Sequence, residues 1–282
     1  MRILFCGDVV ARSGRDVIQK YIPHLKKAWA LDSVIVNGEN AQHGLGLSEK
    51  VCDALYKAGV DVITTGNHVW DCKGMFSYIE KDPRVIRPIN FMNTVPGKGF
   101  FVHDTPKGAI LVLNAMGQVF MSPQLDNAFP ILSDFLKVYP LGRNKIKAII
   151  VDFHAEATAE KIALGYHLDG TVSLVVGTHT HVPTNDARLL DKGTAFLTDA
   201  GMCGDYRSII GFPCDDEALA ARYLKKVPLA NKPEPPQGEG TLCGVFLETN
   251  DQTGLATRVH SVRLGANFSE VCPDDLPCRG GG

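Results

Sequence analysis

An α/β protein with at least part of its sheet parallel is what the opening of the chain predicts, from a pattern that occurs three times. An apolar run reads as a short buried strand, stops at a glycine beside an acidic or amide residue, and gives way to a loop or a helical stretch. The three endings are Gly7-Asp8, Asn37-Gly38-Glu39-Asn40 and Gly66-Asn67-His68. Apolar runs of this kind, without alternation, are what strands covered on both faces look like.

In order, Arg2 to Cys6 is the first strand, and Ser13 is expected to cap a helix over Gly14–Lys27, where Val17, Ile18, Tyr21, Ile22 and Leu25 fall at helical spacing. Ser33–Val36 is the second strand. The loop Gly44-Leu45-Gly46 is too short and misplaced for a dinucleotide fingerprint and leads to Ser48, the expected N-cap of a helix over Glu49–Ala58. Val60–Thr65 is the third strand. Gly97–His103 and Ala109–Asn114 read as neighbouring strands around a turn at Thr105-Pro106-Lys107-Gly108, and Gln124–Val138 as a helix. Lys147–Asp152 is a buried strand ending at Phe153-His154, followed by a helix over Thr158–Tyr166. The Val172–Val176 strand runs into Gly177-Thr178-His179-Thr180-His181, and Gly193–Thr198 ends at Asp199. A helix over Asp215–Lys226, a proline-rich surface loop over Lys232–Gly238, and a strand pair over Thr241–Glu248 and Ala256–Leu264 complete the chain. The tail 273–282 is expected to fray.

Composition narrows the functions. The 282 residues are 45% hydrophobic, enough to bury a large core. Net charge is −2 with no basic block, so nothing suggests a nucleic-acid track. No apolar run approaches a membrane span and no signal-peptide core follows Met1, so a cytoplasmic location is expected. The eight cysteines show no C-x-x-C spacing and are expected to be free thiols without a catalytic part.

The chemistry gathers at strand ends. Two imidazoles at i and i+2 on extended backbone project to the same side about 6–7 Å apart. That suits one metal ion, or two ions with one histidine each. Asp8, Glu39, Asn40, Asn67, His68, His154, His179 and His181 all follow apolar strands, at the sheet edge where ligands of α/β proteins bind. Each has a plain structural alternative, such as a turn cap or a solvated acid; the joint placement is what points to a site. Oxygen and imidazole donors without thiolate suit Mn²⁺, Fe or Zn²⁺. Glu39 is the expected bridging carboxylate if there are two ions. His24, His43, His103, His167 and His260 lack a partner pattern, and the loop Gly201–Tyr206 reads equally as a substrate-side loop or a turn.

These motifs, together with His154-Ala155-Glu156-Ala157-Thr158, resemble the calcineurin-like metallophosphoesterases, and more narrowly their bacterial YmdB-like branch. The resemblance runs from Met1 to about Val262. It departs from the superfamily at Asp8-Val9-Val10, where Asp-x-His is usual, and matches the branch, in which the asparagine after the bridging glutamate, here Asn40, replaces that histidine. The resemblance implies a two-sheet mixed β sandwich flanked by helices in four layers, forming one metallophosphoesterase domain over residues 1–282. It implies one metal at Asp8, Glu39, Asn40 and His181, a second at Glu39, Asn67, His154 and His179, and His68 as proton donor to the leaving oxygen. The implied activity is hydrolysis of cyclic nucleotides, 2′,3′-cyclic ones foremost and 3′,5′-cyclic ones as a further class, by a metal-bridging hydroxide. Two divalent ions (Fe or Mn before Zn) set against Asp8, Glu39 and that hydroxide leave one positive charge in excess, which matches a diester monoanion. Arg12, Arg15 and Arg207 lie near enough in sequence to aid a monoester dianion, so that preference is weak. A phosphomonoesterase or nucleotidase and a nucleotide-sensing regulatory protein are the alternatives, and self-association is left open.

Overall fold

The computed structural model describes residues 1–215, 219, 224 and 235–278. Two sheets pack face to face. The first has the order β13-β12-β1-β3-β4, built from β1 (Arg2–Cys6), β3 (Ser33–Asn37), β4 (Val62–Thr64), β12 (Thr241–Thr249) and β13 (Ala256–Gly265). The second has the order β5-β6-β7-β8-β10-β9, from β5 (Phe100–Thr105), β6 (Gly108–Met116), β7 (Ile146–His154), β8 (Leu174–Thr178), β9 (Arg188–Leu189) and β10 (Ala195–Leu197). β1, β3 and β4 pair parallel, as do β6, β7, β8 and β10; β12 pairs antiparallel with β1 and β13, β5 with β6, and β9 with β10. The expected mixed sandwich is therefore observed.

Strand periodicity explains the four layers. On β1, Ile3 and Phe5 point between the sheets, where they meet Ile35, Ile110, Val112, Ile150 and Val176. Leu4 and Cys6 point the other way, under α1 (Ala11–Ala28) and α2 (Glu49–Lys57). On the second sheet Leu111, Ile149 and Val151 face outward against α4 (Ala128–Val138) and α5 (Thr158–His167). Every inner strand is covered twice, which is why its sequence is apolar without alternation.

Several boundaries differ from expectation. Helix α1 starts at Ala11, with Val10 rather than Ser13 in the capping position, because Gly14 N–H already bonds Val10 C=O and closes the first turn earlier. Helix α4 starts at Ala128, where the Asn127 side chain accepts from Phe129 N–H; the preceding residues form a loop. Ser48 does precede α2, but its hydroxyl donates to Gln42 and caps nothing. The helix expected over Asp215–Lys226 falls largely outside the described residues, as does the start of the Lys232–Gly238 loop. The tail is docked where it is described: Trp29 Nε1 donates to Pro277 C=O, and Leu276 packs on the core. The last four residues lie outside the described ones. The expectation of eight free thiols is corrected at one pair. Cys272 and Cys278 form a disulfide, since the turn between them brings their Cα atoms to 5.6 Å. The other six cysteines are not in disulfides. Among the described residues no helix is long and apolar enough to cross a membrane.

One buried ion pair ties α5 to the second sheet. Lys161 and Asp199, both 1% exposed, meet at 2.7 Å. Replacing Lys161 with Met should destabilise the protein by about 3–5 kcal/mol, because Asp199 would keep a buried charge without its cation. Denaturant titration checks this, and a loss below about 1 kcal/mol would show that the backbone and hydroxyl donors to Asp199 suffice.

Candidate metal centre

The carboxyl ends of strands from both sheets converge at one edge. Asp8 stands on β2 (Asp8–Val9), a short strand paired with β11 (Met202–Cys203). Glu39 and Asn40 follow β3, Asn67 and His68 follow β4, His154 ends β7, and His179 and His181 follow β8. Gly66 must lack a side chain, since a Cβ there would collide with the His154 ring and the Glu39 carboxylate.

Hydrogen bonds behind each ring decide which nitrogen faces inward. Thr178 donates its hydroxyl to Asp152 Oδ1 at 2.7 Å, so its oxygen accepts from His154 Nδ1–H at 2.9 Å. His154 Nε2 is thereby left as the inward atom. It lies 3.0 Å from Glu39 Oε1, 2.9 Å from Asn67 Oδ1 and 3.1 Å from His179 Nδ1. His179 in turn gives its Nε2 to Glu156 at 3.2 Å. His181 Nδ1 donates to the Ile210 carbonyl, which turns Nε2 toward Asn40 Oδ1 at 3.3 Å and Asp8 Oδ1 at 3.9 Å. Asn40 spends its amide nitrogen on Gly44 C=O, which fixes its oxygen inward.

The result is an unusual meeting of acceptors. Carboxylate oxygens, amide oxygens and imidazole lone pairs point at one another, and Asp8 Oδ1 is buried without a hydrogen-bond partner. Acceptors gathered in this way repel unless a cation lies among them. Glu39, His154 and His179 alone offer ligand atoms all within 4.8 Å of one another. The residues present therefore fit a metal centre.

Electrostatics agree. Burial works against the Glu39 charge, but the neighbouring His154 outweighs it and brings the carboxyl down to about 2. His154 is opposed by burial too, yet Glu39 and Asp8 lift it to about 9. Burial and the charge of His154 push His179 down to about 3. Burial raises Asp8. In the metal-free protein, a proton on His154 does the work a cation would do.

The structure brings all eight expected side chains to this edge, but corrects one geometric premise. His179 and His181 are not on extended backbone: their φ angles are 97° and 65°. Left-handed backbone at such residues costs about 1–3 kcal/mol each. What holds it is Asp199, which accepts from Thr180 N–H and Oγ–H and from Gly201 N–H, while Asp8 Oδ2 accepts from His179 N–H. The Gly201–Tyr206 segment is more than a turn, since it contains β11. It pairs with Asp8–Val9, and Tyr206 braces His181 C=O.

Sequence reasoning missed Asp71, Asp152 and the role of Asp199. Asp71 accepts from His68 Nδ1 at 2.8 Å. Asp152 closes an apolar run, the one signal that could have drawn notice. It accepts from Asn37, Thr64 and Thr178, which joins the two sheets beneath the site, and burial raises it to about 7. Above the centre lies a cavity of about 210 Å³ whose lining includes Glu39, Asn40, His68, Glu156, His179 and His181.

Sandwich and acceptor-rich strand ends together define a metallophosphoesterase. A Staphylococcus aureus protein whose crystal structure is named that of a "Putative 5′-Nucleotidase" shares the fold at 14% identity, with a TM-score of 0.59 over 98% of this chain and 56% of that one. Residues 4–262 match the model of the YmdB-like proteins, and the chain belongs to that family. A 2′,3′-cyclic-nucleotide 2′-phosphodiesterase of Bacillus subtilis (strain 168) is 44% identical over 94% of this chain and 97% of that protein. The crystal structure of a hypothetical protein from Thermus thermophilus superposes with a TM-score of 0.85 at 38% identity, covering 95% of this chain and all of the other.

Metal loading should release protons. Without metal, His154 holds its proton up to about 9, and a cation needs that lone pair. Apparent affinity should therefore rise with pH through neutrality and level off near 9. Calorimetric titration with Mn²⁺ in buffers of different ionisation enthalpy measures this directly. Binding that is independent of buffer and of pH between 6 and 8 would contradict the shift.

Proposed function

We propose that the protein is a dinuclear metal-dependent phosphodiesterase that hydrolyses cyclic nucleotides, with 2′,3′-cyclic nucleotides as the principal substrate and 3′,5′-cyclic ones as a further class. The observation that carries the reading is the set of inward-facing acceptors around His154 Nε2 and Asp8 Oδ1. The activity named for the Bacillus subtilis relative supports the substrate class.

In this reading Asp8, Glu39, Asn40 and His181 hold one cation, Asn67, His154 and His179 hold the other, and Glu39 belongs to both. Oxygen and imidazole donors without thiolate suit Mn²⁺ or Fe, and also accommodate Zn²⁺. Two such ions supply a water of lowered pKa and neutralise charge on the phosphate. The protein's part is positioning. Thr178 and Ile210 hold Nδ1 of His154 and His181 so that Nε2 of each can face a cation, and Glu156 lies 3.2 Å from His179 Nε2, on the side away from Nδ1. Glu39 Oε2 accepts from His68 N–H, which anchors the turn carrying the proton donor. His68 lines the cavity, its Nδ1 held by Asp71, so its Nε2 is the atom that delivers a proton to the leaving alkoxide.

Metal analysis of anaerobically purified protein should give two ions per chain, and a single ion would end the dinuclear reading. Rates on 2′,3′-cyclic nucleotides should exceed those on monoesters. Glu39→Gln should cost most of the activity, since the bridge keeps its shape but loses its charge.

His68→Ala should retain both metals and lose about 10²–10⁴-fold in rate on a cyclic nucleotide. The loss should shrink on a bis-nitrophenyl diester, whose leaving group needs little protonation. Equal losses on both substrates together with metal depletion would make His68 a support for Asn67 instead.

A further inference from the structure

We propose that Glu156 sets the charge selectivity of the site, favouring the single negative charge of a phosphodiester over the double charge of a monoester. The inference rests on the phosphodiesterase reading and deepens it.

A carboxylate beside a phosphate-binding cavity calls for a reason. Glu156 lies two residues beyond the end of β7, its side chain 48% exposed, and it lines the cavity beside Glu39 and His179. Its one close contact with a basic ring among the described residues is with His179 Nε2 at 3.2 Å. Its neighbour Glu160 is differently employed, accepting from the backbone N–H groups of Gln118 and Val119 away from the cavity lining. Among the described residues neither lysine nor arginine lines the cavity, whose remaining wall includes Val10, Leu45, Ile210 and Phe212. The arginines that sequence position made candidates are otherwise engaged or elsewhere. Arg12 pairs with Asp16, Arg15 donates to the Ala41 carbonyl, and Arg207 is not in the lining.

Among the described residues, positive charge at the cavity would therefore come from the metal centre, reduced by Asp8 and Glu39 within it and by Glu156 at its mouth. Two divalent ions with two carboxylates and a water-derived anion leave a small positive excess. A further carboxylate at the mouth, partly screened, lowers that excess below one charge and repels each negative charge on the substrate, so a doubly charged monoester is penalised about twice as much as a diester. Because Glu156 is half exposed, its field is partly screened, so the effect is one of preference rather than exclusion. Its 3.2 Å contact with His179 Nε2 also keeps it beside the centre.

The test uses the metal-loaded 282-residue chain and Glu156→Gln, which removes the charge and keeps the shape of the side chain. The measurements are kcat/KM for a 2′,3′-cyclic nucleotide and for the matching 3′-monophosphate, the bound metal, and calorimetric affinity for inorganic phosphate at pH 8. With metal content unchanged, the monoester-to-diester ratio should rise about five- to tenfold, the factor a unit charge a few ångströms away produces when water screens it strongly. Phosphate should bind tighter by a comparable factor, and both differences should fall as ionic strength rises. An unchanged ratio with unchanged phosphate affinity overturns the proposal. So does metal loss with equal decline on both substrates, since Glu156 would then act only through His179. Absence of diester turnover by the wild-type protein would fall on the phosphodiesterase reading instead, while the phosphate titration, which needs no turnover, would still decide the role of Glu156.

Discussion

Asp152 is the group on which the two halves of the site depend. It lies two residues before the end of β7 in one sheet and takes hydrogen bonds from Asn37 and Thr64 of the other, besides Thr178 on its own. A buried carboxylate with this many donors fixes the relative position of the sheets more narrowly than apolar packing, because hydrogen bonds are directional and dispersion contacts are not. The same carboxylate, through Thr178, decides which nitrogen of His154 carries a proton. Register between sheets and tautomer at the centre thus have one origin.

The centre itself is built from groups that would not choose each other's company. Inward lone pairs, a buried Asp8 oxygen without a donor and two histidines on left-handed backbone all cost folding free energy. Offsets lie just outside it. The buried Lys161–Asp199 pair, the donors of Thr180 and Gly201, and the short β2–β11 pairing hold the loop after β8 in a conformation its residues would not adopt alone. A scaffold of apolar strands covered on both faces can carry such a concentration of unfavourable contacts at one edge. Cation binding then converts the repulsion into affinity.

Charge at the cavity mouth follows from the same architecture. The lining draws on loops after β3, β4, β7 and β8, and among the described residues these contribute carboxylates, amides and imidazoles but no basic side chain. Attraction for phosphate is left to whatever the centre holds. The protein chiefly subtracts from that attraction, which is a way of choosing among phosphate esters rather than binding all of them.

By itself the sequence determined the strands, their burial on both faces and the identity of the donor residues at their ends. These are local properties: hydrophobic runs with polar stops are read along the chain, and Asp8, Glu39, Asn40, Asn67, His154, His179 and His181 all sit at such stops. What it could not determine was anything that depends on residues distant in the chain. Asp152 reads locally as the last residue of a strand, Asp71 as a loop acid and Asp199 as a turn, until the sheets pack and supply Asn37, His68, Thr180 and Lys161 as partners. The extended backbone expected for the His-x-His pair failed for the same reason, since contacts from Asp199 and Asp8 outweigh the local preference. Cys272 and Cys278 were unreadable as a pair because a disulfide depends on Cα separation, and only the turn of the docked tail brings that to 5.6 Å.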